Sequence, residues 1–402
     1  MTAETTTHAP TAREMKRLVR LQDAFEFNYV SIRLTATMLE KSIIDAHDAL
    51  RTQLAAHGVV EYQAIGQGGE NKVSIDIPLL HSDGVDERKV TFYRPNTKSG
   101  DPRTWIYGLK RNAAAGDLLL FLFDRDAAPG SSGLVGLMVL GDDVDALLRD
   151  ADQLLRRRST TAVDRSLAGV AERIRRQLAP LRETWIRTKR PGDTGIGYTL
   201  EELLGIPANT FKGADVDGVE LKAYRRGAAT GQGKLVSLFS KTPNWVHPDK
   251  GLGLIERYGY YDEKRDRQAL YCTVNATPNS LGLGLDIAPD AQRMNVVRGA
   301  DLACYYHLRT LEARLAEKHT ATLFIQASRR GVGRAEEFRF DGLVYCRNAS
   351  IGNFLDLVAA DQLGVDFTLH IKANGKARDH GYLWRVREPK IAELFAYRRE
   401  FY

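Results

Sequence analysis

The chain has 402 residues, 43% of them hydrophobic and 27% charged, the composition of a globular protein long enough for two or three domains. No apolar run approaches the roughly 20 residues a membrane span requires. The opening "MTAETTTHAPTAREMKR" has no apolar signal core and reads as a short disordered arm, so a cytoplasmic location is expected. The cysteines Cys272, Cys304 and Cys346 lie far apart and form no metal-type pair, and the nine histidines contain no HExxH, which argues against a zinc protease. Net charge is +6 and favours an acidic partner, nucleic acid first.

In chain order, Leu18 to about Leu140 is rich in strand-like runs: "NYVSIRLTATM", "KVSIDIP", "KVTFYRP", "DLLLFLFD" and "LVGLMVL". Clusters such as "GQGGEN" and "NTKSGDP" separate them, and a helix is expected near residues 35–56. The segment "TFYRPNTKSGDPRTWIYGLKR" interleaves Arg94, Lys98 and Arg103 with Tyr93, Trp105 and Tyr107, a pattern that suits a nucleic-acid surface and equally a hairpin with a basic rim.

"VDALLRDADQLLRRR" and "SLAGVAERIRRQLAPLRETW" have helical spacing, and Pro180 interrupts the second. From Leu154 to Arg190, eleven Lys and Arg face three acids, either a solvated helix surface or a stretch that lies along phosphates. "KRPGDTGIG" marks the expected domain boundary. Beyond it, helices are expected at 200–204, 300–318 and 351–363. Strands are expected at 219–224, 235–240, 268–274, 321–327, 337–346 and 366–371.

The stretch "ADVDGVELKAYRR" carries the chemistry. Val219, Leu221 and Ala223 alternate with Glu220, Lys222 and Tyr224, the period of a half-buried strand, so Glu220 and Lys222 share a face. Asp215 stands five residues earlier, across the short turn "VDG". Two carboxylates at a strand end can hold a hard divalent cation, and a neighbouring lysine can orient or deprotonate water or stabilise a phosphate. Short acidic–lysine patterns occur in most proteins of this size, so the motif alone also reads as a salt bridge. Thr199 to Glu202 fits a capping box in which Glu202 folds back on the helix start and Glu201 stays free; Asp217 reads as a turn residue.

The longer stretch "TGIGYTLEELLGIPANTFKGADVDGVELKAYRRGAATGQGKLVSLFSKTPNW" resembles the MvaI/BcnI family of restriction endonucleases, relatives of the mismatch-repair nicking enzyme MutH. The resemblance covers residues 190–402 and is densest from Gly195 to Trp245. It implies an α/β restriction-endonuclease-like domain of the PD-(D/E)xK type at 191–402. Asp215 and Glu220 would ligate Mg²⁺ (Mn²⁺ substituting), Lys222 would be the catalytic lysine, and Glu201 a further carboxylate near the metal. Ala214 departs from the proline often found there. "KARDHGYLWRV" is similar to a family segment that contacts the target, which makes Arg378, His380 and Arg385 DNA-contact candidates, with Arg225 and Arg226 beside the active strand.

The implied partner is double-stranded DNA and the implied activity that of a type II restriction enzyme, with type IIE as one form of it, at a CCWGG- or CCSGG-like site, acting as a monomer. The competing readings are a MutH-like nicking enzyme and a non-catalytic DNA-binding protein. Residues 1–150 loosely resemble the B3-like pseudobarrel of an EcoRII-type effector domain, which would provide a second DNA site, and 151–190 reads as a basic helical linker.

Overall fold

A computed structural model of the chain describes residues 8–25, 27–124, 133–154, 162–192, 194–206, 215–226, 235–289 and 291–402. Two compact units result, residues 1–160 together with 287–293, and residues 161–286 together with 294–402. No described helix is long and apolar enough to cross a membrane.

The first unit opens with α1 (Ala12–Ala24), which corrects the expectation of a disordered arm over its described part. Thr11 and Glu14 form a reciprocal capping box, and Met15, Leu18, Val19 and Gln22 bury one face of the helix. Glu14 also pairs with Arg33 at 2.5 Å. β1 (Asn28–Arg33) follows, then α2 (Ala36–Lys41), β2 (Ile44–Asp45) and α3 (Asp48–Ala56). The single helix expected at 35–56 is thus two, because Ser42 closes α2 in the left-handed region and Ile44–Asp45 pairs with a strand. That strand is β5 (Arg103–Ile106); β3 (Val73–His81) and β4 (Gly84–Tyr93) precede it, and β6 (Leu118–Phe123) and β7 (Leu134–Val139) follow. All seven make one sheet in the order β1-β6-β7-β3-β4-β5-β2. Every residue of β6 is buried, and α4 (Val144–Leu154) packs against β3 and β4.

The second unit begins with α5 (Ala162–Leu178), followed by a short 3₁₀ turn at Pro180 and by β8 (Ile186–Arg187). α6 (Gly195–Leu203) packs on β9 (Glu220–Arg225). Next come β10 (Leu235–Ser240), β11 (Asn244–Trp245), α7 (Lys250–Tyr258), β12 (Tyr260–Asp262), β13 (Arg267–Val274), β14 (Leu283–Ala288), β15 (Arg293–Arg298) and β16 (Asp301–His307). The chain closes with α8 (Leu308–Lys318), β17 (Ala321–Arg330), β18 (Glu337–Ala349), α9 (Ile351–Ala359), β19 (Leu363–Ile371), β20 (Ala377–Arg387) and β21 (Phe395–Glu400). The helix expected at 300–318 therefore starts only at Leu308: 301–307 alternates as a strand and pairs with β11.

Three sheets form. One runs β21-β18-β17-β9 with β8 on β18, one β10-β20-β19-β13-β12, and one β11-β16-β15-β14. β9 lies parallel to β17, with Glu220 opposite Thr322 and Arg225 opposite Ala327. Trp384 is fully buried, its ring 5.1 Å from those of both Tyr306 and Phe354.

Replacing Thr11 by Ala removes one half of the capping box of α1 and is expected to destabilise the chain by about 1 kcal/mol. Urea unfolding of the full chain followed by far-ultraviolet circular dichroism checks this; an unchanged first transition would mean that the cap contributes nothing.

Candidate active site

β9 enters through a two-residue turn. Val216 and Val219 exchange both backbone hydrogen bonds, at 3.0 and 2.8 Å, around Asp217 (φ 43°) and Gly218 (φ 88°). Positive φ at both central residues is the primed hairpin geometry for which Asp-Gly is a preferred pair. Asp217 is a turn residue as expected, and its carboxylate pairs with Arg173 at 2.7 Å. The turn folds the chain back so that Asp215 Oδ2 accepts the Leu221 N–H at 2.8 Å. Asp215 and the first residue of β9 thereby meet at one strand end.

On β9 itself, Glu220 is buried, and its Oε1 accepts a hydrogen bond from Lys222 Nζ at 2.6 Å. The shared face follows from the strand period of two. Glu220 Oε2 is buried and has no hydrogen-bond partner among the described residues. A buried carboxylate oxygen without a donor is costly.

The neighbouring acids feel the same environment. Burial raises the Asp215 pKa, helped by the charge of Glu220 and opposed by the Leu221 N–H, Lys222 and Lys318. Burial also raises the Glu201 pKa, and the Asp215 charge adds to it, so Glu201 on α6 belongs to the same electrostatic cluster. Behind them His319 is fully buried, with Nδ1 at 3.2 Å from Thr322 Oγ1 and Nε2 at 3.3 Å from the Leu238 carbonyl. Burial, then Lys222, pushes its pKa down to about 4.

Among the described residues no three or more His, Cys, Asp or Glu side chains converge into a preformed metal cluster. The donor set nonetheless fits Mg²⁺, which is usually held by one or two carboxylates and completes its octahedron with water and phosphate oxygens. Glu220 Oε2 and the carboxylate of Asp215 supply hard oxygens, and a cation would satisfy the unpartnered one.

The capping box expected at Thr199–Glu202 does not form. α6 starts four residues earlier, at Gly195, so Thr199 lies inside the helix and its hydroxyl bonds back to the Gly195 carbonyl at 2.7 Å. Glu202 instead pairs with Lys189 at 2.7 Å on the surface. Ala214 lies outside the described residues.

The DNA-contact candidates scatter. Arg225 is half-buried in a two-bonded pair with Glu336, at 2.8 and 3.0 Å, and also bonds the Gly192 carbonyl. Arg226 is half exposed and lies 3.3 Å from Asp341. Arg385 pairs with Asp366 at 2.8 Å and with Ser237 Oγ at 3.2 Å. Arg378 and His380 are exposed on β20, and His380 stacks on His370 at 5.4 Å. In the first unit, Arg94 bonds the Gly100 carbonyl at 3.0 Å and lines a cavity of about 540 Å³ with Arg51, Tyr62 and Gln63. Arg103 sits 3.5 Å from Asp45, Lys98 is exposed, and Trp105 is 41% exposed beside Tyr107. Sequence reasoning missed His319, Glu336 and Asp366, which carry no local motif and each bond a group distant in the chain, the Leu238 carbonyl, Arg225 and Thr273.

The sequence profile of the MvaI/BcnI restriction endonuclease family matches residues 178–395, more than half of the chain and all of the site described above. The chain belongs to the MvaI/BcnI restriction endonuclease family. Its C-terminal part accordingly has the restriction-endonuclease-like fold, and the family is one of site-specific DNA endonucleases. Among solved structures the chain is similar to the restriction endonuclease MvaI bound to its cognate DNA substrate, at 23% identity over 58% of this chain and 97% of that one, with a TM-score of 0.46. MvaI in the absence of DNA gives 22% identity over 61% and 100%, with a TM-score of 0.42. No curated protein matches. Residues 1–177 lie outside the family match.

The raised pKa values set a sign for stability. Asp215 and Glu201 hold their protons more tightly folded than unfolded, so their penalty is absent below ordinary carboxylate pKa values and grows as pH rises through the folded ones. Asp215→Asn should therefore melt above wild type at pH 8, and the gap should close below about pH 4. Thermal melting across that range checks it; a variant that melts lower at pH 8 would show that the site does not strain Asp215.

Proposed function

We propose that the second unit hydrolyses phosphodiester bonds of double-stranded DNA at Asp215, Glu220 and Lys222, as a Mg²⁺-dependent PD-(D/E)xK nuclease in which Mn²⁺ substitutes. The observation that carries this is the buried Glu220 carboxylate, bonded to Lys222 through one oxygen and unpartnered through the other, with Asp215 folded against the same strand end. Asp215 and Glu220 would hold the metal, which supplies Lewis-acid charge relief at a phosphate oxygen. Lys222, fixed by Glu220 at 2.6 Å, presents its remaining N–H groups to the attacking water or to a non-bridging phosphate oxygen. Its tether to a strand keeps that donor in place without reorganisation during the reaction. Glu201 stands as the further carboxylate, close enough to Asp215 to feel its charge, where it can orient water.

The DNA reading extends to Arg226, Arg378 and His380, which expose cations or a ring to solvent, and to Arg225 and Arg385, which carboxylates hold in fixed poses. The target would be a short CCWGG- or CCSGG-like site cut by a monomer in the cytoplasm. For the first unit we propose a DNA-binding effector domain of the B3-like kind, giving the type IIE pattern of two sites. Its largely antiparallel seven-stranded sheet and the cations Arg94, Lys98 and Arg103, in one chain segment with the exposed Trp105, support this.

Supercoiled plasmid incubated with the full chain and Mg²⁺ should yield discrete linear fragments, and EDTA should abolish them. Lys222→Ala should lower the rate by at least ~10²-fold while DNA affinity measured in EDTA stays within about twofold. Site-specific nicks alone would favour the MutH-like reading, and near-normal cutting by Lys222→Ala would refute the assigned centre.

A further inference from the structure

β17 and β18 continue beyond the sheet as a hairpin whose tip, Gly331-Val332-Gly333-Arg334, is fully in solvent. Gly331 and Gly333 both have positive φ, at 71° and 60°, which lets the chain reverse there. Val332 is 82% exposed, the highest value for a large apolar side chain among the described residues. Arg329 and Arg330 flank it with more than half of each side chain in water. β8 pairs with the base of the hairpin, Arg187 opposite Glu337, and brings the exposed Lys189 and Arg190 alongside.

The local acids are already committed. Glu336 holds Arg225, Glu337 holds Arg330 at 2.5 Å, Glu202 holds Lys189 at 2.7 Å, and Asp341 lies 3.3 Å from both Arg226 and Arg339. Among the described residues Arg187, Arg190 and Arg334 pair with no carboxylate. Trp185 stiffens the base, its ring 4.5 Å from the Arg330 guanidinium and 5.1 Å from that of Arg339. The pair of Arg225 with the buried Glu336 ties this element to the end of β9, the strand that carries Glu220 and Lys222.

We propose that this hairpin is a second contact of the second unit with duplex DNA, in which Arg187, Arg190, Arg329 and Arg334 meet phosphates and Val332 lies against the sugars of a groove. Charge selects the partner, since an arginine cluster around one apolar tip, in which only Arg329 lies near a carboxylate, Glu336 at 4.0 Å, complements a polyanion with apolar groove walls. The register sets the distance. Thr322 lies opposite Glu220 and Val332 is ten residues further along, so the tip is about 30 Å from the carboxylates at ~3.3 Å per residue. That spans close to one helical turn of duplex, about 10 base pairs. The contact is thus to DNA flanking the cut and adds affinity without reading sequence. It rests on the DNA-cleaving reading of the second unit.

The test uses the full chain in EDTA and duplexes carrying a mapped cut site with ~4 or ~14 flanking base pairs on each side. Wild type should bind the longer duplex roughly tenfold more tightly. Arg187→Ala/Arg190→Ala/Arg334→Ala should lose most of that gain and lower the slope of log affinity against log salt by about 2 to 3. Val332→Asp should weaken the longer duplex alone. The corresponding triple Lys variant should keep the wild-type slope, which separates lost charge from lost fold, and the hydroxyl-radical footprint of the Ala variant should retract by about one turn on one side. Unchanged length dependence, slope and footprint in the triple Ala variant would overturn the hairpin assignment while leaving the cleavage centre intact. A wild-type chain that cuts no DNA would overturn both.

Discussion

A carboxylate taken out of water must find donors, and Glu220 finds them for only one of its two oxygens. Three elements of the second unit meet at that carboxylate or its neighbour Asp215. β17 holds β9 in parallel register, the Asp217-Gly218 turn returns Asp215 to the start of the strand, and α6 brings Glu201 within electrostatic range. Asp215 and Glu220 meet at one strand end beside Lys222, and Glu201 lies within reach of the Asp215 charge, so negative charge is concentrated there. A stable fold has no use for such an arrangement, because replacing a buried acid by an apolar or neutral group commonly stabilises a protein. A site that receives a divalent cation and a phosphate has a direct use for it.

The same logic explains how the arginines are held. Arg225 is held by Glu336, the residue just before β18, and Arg385 by Asp366 on β19. Such pairs fix the direction of a long side chain at the cost of desolvation, and the first of them ties β9 to the residue just before β18. Arg225 is the clearest case: its guanidinium also lies 5.2 Å from the Phe338 ring, so the far end of β9 is locked in place by packing as well as charge.

Legibility in the sequence followed how local each determinant was. The strand at 220–225 and the shared face of Glu220 and Lys222 were readable because alternation is a nearest-neighbour property, and the Asp-Gly turn because it needs only two residues. The start of α6 was misplaced because its determinant is a close approach. A Cβ on Gly195 would sit 2.1 Å from the Arg190 carbonyl oxygen, so glycine is required there, and the helix begins at a residue of poor helix propensity. The strand at 301–307 was hidden because "ADLACYYHLRTLEARLAEK" is apolar at helical spacing, and pairing with β11 and β15 decides its conformation. His319 and Glu336 were invisible, since their partners Leu238 and Arg225 lie 81 and 111 positions away.

If Asp215 and Glu220 are the ligands of a divalent cation, electron paramagnetic resonance of Mn²⁺ titrated into the full chain without DNA reveals it apart from any activity. A saturable site should appear in wild type and in Glu202→Gln, and should weaken by at least ~10-fold in Asp215→Asn and Glu220→Gln. Equal Mn²⁺ affinity in all four proteins would contradict the account.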